Sequence, residues 1–370
     1  MDQPAIALTA PRLDEQDIEA AVRVMRSGRL AQGPEVASFE DEFSTLVDGR
    51  EAVAVASGTA ALWLSLLALG IGPGDEVIAP SFTFAATVGA VRLTGATPVF
   101  ADIDPATYCL DPDAAAAAIT PRTAGIIPVD LYGHPAALDR LGALAERHHL
   151  ALIEDAAQAI GARLDACPTG AFGTVGTFSF YPTKNIQAIE GGMITTGDAA
   201  LARRLRLLRN HGMPERYQHE IVGTNARMND VSAAIGRSQL RRLPEITARR
   251  RAHAARLGAA LAGLPGLTVP TTAPGAQHAW HQYTVRISPA LGGRDQLAAA
   301  LGQAGIGTAV HYPVPLHRTA AFEAAVFLPH TDTAAAQVLS LPIHPALITT
   351  EIDRITAALT ARHLHLERAA

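Results

Sequence analysis

A lysine and an aspartate each follow an apolar segment that predicts a buried strand. Lys184 lies just beyond the strand-like segment Thr177–Tyr181, and the next charged residue along the chain is Glu190. A lysine that is partly withdrawn from water has a lowered pKa, and its neutral amine can form a Schiff base. Asp155 ends an apolar run, where an ionised carboxylate needs a cation such as a protonated heterocyclic nitrogen. The alternatives are a surface lysine in a loop and a helix-capping aspartate.

Two further segments supply groups that a flat, phosphorylated ligand would need. Ser57-Gly58-Thr59 lies between a predicted strand and a predicted helix, where a hydroxyl, a glycine and exposed amides can seat a phosphate. Phe84 follows another predicted strand, and its ring could stack on a flat ligand. An ordinary helix cap and a core phenylalanine are the alternatives. Together the four features match pyridoxal phosphate, which needs a lysine for its aldehyde and an electrostatic partner for its ring nitrogen.

The elements that must position these residues follow an α/β pattern. Short apolar runs alternate with helical patterns between residues 50 and 200, which predicts a largely parallel sheet covered by helices on both faces. Right-handed crossovers bring the carboxyl ends of the strands to one edge, where α/β proteins bind ligands. The seven predicted strands are Val53–Ala56, Glu76–Ala79, Pro98–Ala101, Gly125–Val129, Leu150–Ile153, Val175–Phe180 and Met193–Thr196.

A smaller α+β unit is predicted after the sheet. The pattern becomes helical beyond Leu201, and Pro244 predicts the start of a long helix. The elements predicted after that helix are strands Gln282–Ser288 and Gly307–Val310 and helices Arg294–Gln303 and Ile352–Thr360. We therefore expect a large domain over residues 1–245 and a small one over residues 246–370.

Composition excludes several classes of protein. The chain has 370 residues, of which 48% are hydrophobic and 18% charged, so it can bury a core and is not disordered. A net charge of −5 argues against nucleic-acid binding. The two arginine-rich stretches, 203–209 and 249–256, have no interleaved aromatic residues and favour solvated helix faces.

Neither a membrane segment nor a metal site is expected. The uncharged segment 52–74 contains serine, threonine and several glycines, so a strand, a turn and a buried helix explain it better than a membrane span. The chain starts without a secretory signal, and its two cysteines form no paired motif, so we expect a cytoplasmic protein. The fourteen histidines lack metal-ligand spacing.

The order of several motifs resembles one enzyme family. The motifs are Ser57-Gly58-Thr59, Glu154–Gln158, Ser179–Asn185, Glu190-Gly191-Gly192 and Asn225–Met228. Taken together they resemble the DegT/DnrJ/EryC1/StrS aminotransferases, which are pyridoxal phosphate enzymes of fold type I. The resemblance extends from about Ile6 to Leu359. It implies a large domain with a mostly parallel seven-stranded sheet between helices and a smaller C-terminal α+β domain.

The resemblance also implies a role for each matching residue. Lys184 would bind the cofactor covalently and carry the proton, and Asp155 would pair with the ring nitrogen. The other implied cofactor contacts are Gln158 to the ring hydroxyl, Phe84 stacked on the ring, and Gly58, Thr59 and Ser179 on the phosphate. Asn225 of the partner subunit would complete the phosphate site, which implies a homodimer with shared active sites. Arg227, His311 and Tyr312 would lie near the substrate.

The implied reaction moves an amino group, from glutamate, to the C3 or C4 ketone of a nucleotide-linked deoxysugar. A cyclitol ketone, an aminobenzoate precursor and a catalytically silent cofactor-binding regulator remain as alternatives. Ile189 and Thr224 depart from the pattern of many relatives, which have glycine and tyrosine there, and so weaken a specific substrate assignment. Relatives that dehydrate sugars have histidine at the lysine position, so Lys184 favours transamination.

Overall fold

The computed structural model describes residues 4–369, with side chains for 4–289 and 291–362. The strands are β1 (Glu51–Val55), β2 (Glu76–Pro80), β3 (Thr97–Ala101), β4 (Thr123–Ile126), β5 (Ala151–Asp155), β6 (Arg163–Leu164), β7 (Cys167–Pro168), β8 (Val175–Ser179), β9 (Gly192–Thr196), β10 (Leu267–Thr268), β11 (Ala276–Gln277), β12 (Tyr283–Ile287) and β13 (Val338–Leu341).

Helices flank these strands throughout the chain. They are α1 (Glu15–Ser27), α2 (Pro34–Leu46), α3 (Gly58–Ala68), α4 (Ala85–Leu93), α5 (Pro112–Ala117), α6 (Leu138–Arg147), α7 (Ala199–Leu208), α8 (Asp230–Arg241), α9 (Leu243–Leu261), α10 (Arg294–Gln303), α11 (Pro329–Gln337) and α12 (Thr349–Ala369). Short 3₁₀ turns cover Leu131–Gly133, Pro289–Leu291 and Leu316–Arg318. No helix among residues 4–369 combines the length and apolarity that a bilayer crossing requires.

The central sheet has seven strands in the order β1-β9-β8-β5-β4-β2-β3. The neighbours from β8 to β3 pair in parallel, and β9 runs antiparallel to both β8 and β1. This confirms the predicted mostly parallel sheet of seven strands. Because β2, β5 and β8 all run in one direction, their carboxyl ends meet at the same edge, where Pro80, Asp155 and Ser179 lie.

Four phenylalanines join α2 to one face of the sheet. The ring of Phe43 lies 4.9 Å from that of Phe178, and the ring of Phe39 lies 5.0 Å from that of Phe180. All four side chains are buried. Because side chains alternate along a strand, Ser179, between Phe178 and Phe180, points to the opposite face of the sheet. It also ends β8, at the edge where the ligand is expected.

The C-terminal part of the chain forms its own hydrophobic core. Strands β10, β12 and β13 make an antiparallel sheet, and α9, α10 and α12 bury apolar side chains against it. The N-terminal segment also contributes, since Ile6 is part of that core and pairs with Ile306. The predicted strand Gly307–Val310 is wrong. Its first amide, at Gly307, donates to the carbonyl of Ile6 at 2.8 Å, and only a bridge at Ala309 reaches β13.

The arginine-rich stretches differ from the expected solvated faces. Arg203 and Arg206 do form surface ion pairs, with Glu220 and Glu51. Arg209 is instead buried and pairs with Glu40, and Arg250 is buried as well. Arg209 directly follows the end of α7 and Arg250 lies on an inward face of α9, which charge alone did not reveal.

We expect Phe43→Ala to lower the free energy of unfolding by about 3–5 kcal/mol, because it leaves a cavity between α2 and β8. Urea unfolding of the cofactor-loaded protein measures this change. Leu93→Ala is the control, since Leu93 is 66% exposed at the end of α4 and its removal is expected to change the free energy by at most about 0.5 kcal/mol. Equal effects from both variants would contradict the role of the aromatic cluster.

Candidate active site

Lys184 lies in the loop between β8 and β9, at the carboxyl edge of the sheet. Its backbone amide donates to the carbonyl of Tyr181 at 2.9 Å, which closes a turn around the lysine. The side chain keeps some accessible surface, but the protein surrounds it closely. This burial lowers the pKa of Lys184 to about 8, although the negative charge of Asp155 partly opposes the shift. A substantial fraction of the amine is therefore neutral, and nucleophilic, close to physiological pH.

Asp155 ends β5 and is only 5% exposed. The hydroxyl of Thr87 donates to Oδ2 at 2.8 Å, and the amide of Ala157 donates to Oδ1 at 3.2 Å. Burial raises the pKa of Asp155, while Thr87, Ala157 and the nearby Lys184 lower it by smaller amounts. A further cation against this carboxylate would relieve its desolvation, and a protonated pyridine nitrogen is one such cation.

Gln158 connects this carboxyl edge to the C-terminal part of the chain. Its Oε1 accepts from the amide of Tyr132 at 2.7 Å, which orients Nε2 to donate to the hydroxyl of Tyr312 at 3.2 Å. The hydroxyl of Tyr132 donates to the carbonyl of His311, and His311 Nδ1 lies 3.1 Å from the hydroxyl of Ser340. The predicted residues Gln158, His311 and Tyr312 therefore lie together in one hydrogen-bonded network.

The backbone around Ser57-Gly58-Thr59, the expected phosphate site, is closely packed. The side chain of Ser57 accepts from the amide of Ala60 at 3.1 Å and caps α3. A Cβ at Gly58 would lie 2.7 Å from the Cβ of Ser179, and one at Gly192 would lie 2.4 Å from the carbonyl oxygen of Ser57. Only glycine allows these approaches. The first turn of α3, with Gly58 and Thr59, therefore stands next to Ser179 and can present its amides to a phosphate.

Phe84 contributes an uncovered aromatic face to the site. Its side chain is 59% exposed at the start of α4, and its ring lies 6.2 Å from that of Tyr312. A core phenylalanine would be covered, so this alternative is wrong. The described residues supply the groups that pyridoxal phosphate needs: a lysine amine, a buried carboxylate, an exposed aromatic ring and a helix start that can bind the phosphate. The residues present therefore fit this cofactor.

Asn225 and Arg227 contact other residues than those around Lys184. Asn225 is exposed and its backbone bridges to Asn210. The guanidinium of Arg227 donates to Oδ1 of Asn210 at 2.8 Å, and its backbone bridges to Val55. Within one chain these two predicted residues are thus held beside the end of β1 and do not join the network of Gln158.

The structure also shows polar residues that sequence reasoning missed. Thr87, one turn after Phe84, donates its hydroxyl to Asp155. Asp130 lies next to Asp155, because the backbone amide of Asp130 donates to the backbone carbonyl of Asp155 at 3.0 Å. Burial raises the pKa of both Asp130 and Glu154, and the negative charge of Glu154 raises that of Asp130 further, which favours the uptake of a proton by this pair. Asp130 follows the predicted strand Gly125–Val129, so the rule that found Asp155 could have found it.

A count of residue types gives a further signal. Lys184 is the only lysine among the 370 residues, and the other basic side chains counted with it are arginines. Any reaction that requires a lysine amine can therefore use only this position. Among the described residues, no three histidine, cysteine, aspartate or glutamate side chains come together as a metal-ligand group.

Comparison with known proteins identifies the family. Residues 11–360 match the model of the DegT/DnrJ/EryC1/StrS aminotransferase family. The chain belongs to this family. It is therefore an aminotransferase that uses pyridoxal phosphate, as the sequence predicted.

Individual DegT/DnrJ/EryC1/StrS relatives are similar along nearly the whole chain. The erythromycin biosynthesis sensory transduction protein EryC1 of Saccharopolyspora erythraea is 46% identical over 98% of this chain and 100% of its own. The dTDP-3-amino-3,4,6-trideoxy-alpha-D-glucose transaminase of Streptomyces venezuelae is 47% identical over 92% of this chain and 90% of its own. The crystal structure of S. venezuelae DesV in complex with a ketimine intermediate superposes with a TM-score of 0.94 at 44% identity, covering 98% of this chain and 99% of DesV.

We expect the single lysine of this aminotransferase to titrate near pH 8. In the apoprotein, labelling by trinitrobenzenesulfonate should rise with pH as the amine loses its proton, with a midpoint near pH 8, the lowered pKa, instead of near the ordinary value of 10.5. Mass spectrometry of the Lys184 peptide separates this reaction from that of the α-amino group. Asp155→Asn should move the midpoint lower, because it removes a negative charge that raises the pKa. A midpoint near 10 would show that Lys184 is solvated.

Proposed function

We propose that this aminotransferase moves an amino group to the C3 or C4 ketone of a nucleotide-linked deoxysugar, with Lys184 as the acid and base. One observation carries the residue assignment: the only lysine lies at the same edge of the sheet as the buried Asp155, and the charge of each shifts the pKa of the other. The similarity to the dTDP-amino-sugar transaminase supports the substrate class. The protein thereby belongs to the biosynthesis of amino sugars, such as those attached to antibiotics.

In this mechanism the side chains of the chain hold and orient the cofactor, and Lys184 moves protons. When bound, the cofactor supplies an aldehyde that takes up the amino group and a ring that withdraws electrons from the reacting carbon. The amine of Lys184 accepts a proton from that carbon and later returns it, for which a pKa near neutrality is suitable. Asp155 would keep the ring nitrogen protonated, and Gln158 would bind the ring hydroxyl. Gly58, Thr59 and Ser179 would hold the phosphate, and Phe84 would stack on the ring.

The substrate contacts and the amino donor complete the proposal. His311 and Tyr312 border the site through Gln158 and lie where the sugar is expected. The proposed amino donor is L-glutamate. The transferred group enters from the donor in one half-reaction and leaves to the sugar in the other, so Lys184 acts in both.

The complete site needs a second copy of the chain. The exposed Asn225 is held in its own chain by a backbone bridge to Asn210 and does not join the network of Gln158. Apolar residues of α1, Ile18 and Met25, are exposed as well and offer a surface for a partner. We propose a homodimer in which Asn225 and Arg227 of each subunit extend into the site of the other.

The domain limits and the location of the protein are proposed from the same structure. A boundary between residues 245 and 246 falls near the start of α9, and the elements beyond it build the C-terminal core. The N-terminal segment with Ile6 then packs on the small domain although it precedes the large one. A cytoplasmic location suits the two cysteines, Cys109 and Cys167, neither of which forms a disulfide.

Amino transfer should depend on Lys184 in both half-reactions. Wild-type protein with L-glutamate is expected to lose the absorption band of the aldehyde form, and then to aminate a dTDP-linked keto-sugar. Lys184→Ala should still bind pyridoxamine phosphate but lose turnover about a hundredfold or more. Lys184→Arg is the matched control, since it keeps the charge but stays protonated and should be equally inactive. If the protein aminates an inosose or an aminobenzoate precursor but no keto-sugar, the proposed substrate is wrong, although the protein is still an aminotransferase.

A mixed dimer tests the shared site. Lys184→Ala and Asn225→Ala each damage both sites of a homodimer, the second by weakening the phosphate contact about tenfold or more. If Asn225 acts across the interface, a co-purified hybrid of the two variants contains one intact site and recovers activity. The spectrum of the bound cofactor should report the same recovery. A hybrid as inactive as its parents would place Asn225 in the site of its own subunit.

A further inference from the structure

A cavity of about 240 Å³ opens beside the lysine loop. Its walls are the N-terminal segment 8–12, residues 182–187 of the lysine loop, the adjoining ends of α8 and α9, and the loop 343–346. A second cavity of about 80 Å³ adjoins it and reaches His311. Leu8, Thr9, Thr183, His281 and Ile343 line both. Lys184 lines the larger cavity, so a molecule that reacts at this amine can extend into it.

The charges along the larger cavity are mostly positive. Apart from Lys184, four arginines line it, at positions 12, 242, 249 and 250, and one carboxylate, that of Glu245. Two of the four are paired within the chain: Arg242 with Asp14 and Asp17, and Arg249 with Glu245 at 2.9 Å. Arg12 is exposed at the mouth and Arg250 lies inside. The local field therefore favours an anion.

Arg250 is the strongest sign of an absent counter-charge. It is only 6% exposed, and its Nη1 donates to the carbonyls of Trp280 and His281 at 3.0 and 3.1 Å. Nε makes no hydrogen bond within residues 4–369, nor does Nδ1 of the buried His344 nearby. Burial lowers the pKa of Arg250 to about 10, without a compensating carboxylate among its neighbours in the described chain. A buried guanidinium that only neutral carbonyls hold is costly, and a bound oxyanion would offset that cost.

We propose that this cavity is an oxyanion subsite in which Arg250 and Arg12 bind the charged end of a substrate whose reacting end lies at Lys184. The inference rests on the proposed function, since both substrates of that reaction carry such a group. The amino donor has a second carboxylate, and the acceptor has a diphosphate. A guanidinium binds either one through charge-assisted hydrogen bonds in a planar, forked geometry.

The two half-reactions of the holoenzyme separate these sources. Arg250→Gln and Arg12→Gln are compared with wild type in single-turnover reactions, first with L-glutamate and then, from the pyridoxamine form, with a dTDP-linked keto-sugar. Titration calorimetry with 2-oxoglutarate and with dTDP gives a second readout that does not depend on turnover. Arg256→Gln is the matched control, because Arg256 lies on the same helix but pairs with the surface residue Asp353.

Loss of about tenfold or more in affinity for one probe, with the matching half-reaction slowed, supports the subsite and identifies its occupant. A loss confined to 2-oxoglutarate and glutamate assigns the carboxylate, a loss confined to dTDP and the sugar assigns the diphosphate, and a loss of both shows that the substrates share the subsite. Arg12→Gln decides alone if Arg250→Gln fails to fold. Variants that behave like Arg256→Gln overturn the inference. A wild-type protein that turns over neither substrate contradicts the proposed function instead.

Discussion

The proposed active site depends on an electrostatic balance between one lysine and one aspartate that are both largely withdrawn from water. Burial alone favours the neutral form of both Lys184 and Asp155, and each charge partly restores the other. The lysine is thereby left with a pKa near 8, while the carboxylate can hold a second positive partner. Neither side chain could reach this state on the surface, where water would stabilise both charges.

The parallel sheet makes this balance possible. Asp155 ends β5 and Ser179 ends the neighbouring strand β8, so the carboxylate and the start of the lysine loop meet by register and not by chance. The C-terminal part of the chain then closes the edge through Tyr312, which binds Gln158. The N-terminal segment strengthens the same closure, because Ile6 pairs with Ile306 in the small core while the residues after it line the cavity beside Lys184. Sequence-distant segments thus surround one amine.

Much of this architecture could be predicted because local pattern and global fold agree. The seven strands of the sheet and helices such as Arg294–Gln303 carry strong apolar patterns, and their predicted limits lie within a few residues of the observed ones. The segment Gly307–Val310 has strand-like residues, but a distant segment competes for its hydrogen bonds, which no local pattern reports. The burial of Arg209 and Arg250 depends on how the end of α7 and one face of α9 pack in three dimensions. Asn225 is exposed, and its role in the phosphate site of a partner subunit remains a prediction.

The single lysine also determines how the protein reacts with reagents that couple to amines. Of its 30 lysine and arginine residues, 29 are arginines, so its surface cations are guanidinium groups. Activated esters and aldehyde resins react with amines, and the only amine-bearing side chain is that of Lys184, in the proposed catalytic centre. Coupling to a support would inactivate an empty enzyme but spare a loaded one, in which the cofactor already occupies that amine. The α-amino group would then be the remaining anchor, and every immobilised copy would be tethered by the same end of its chain.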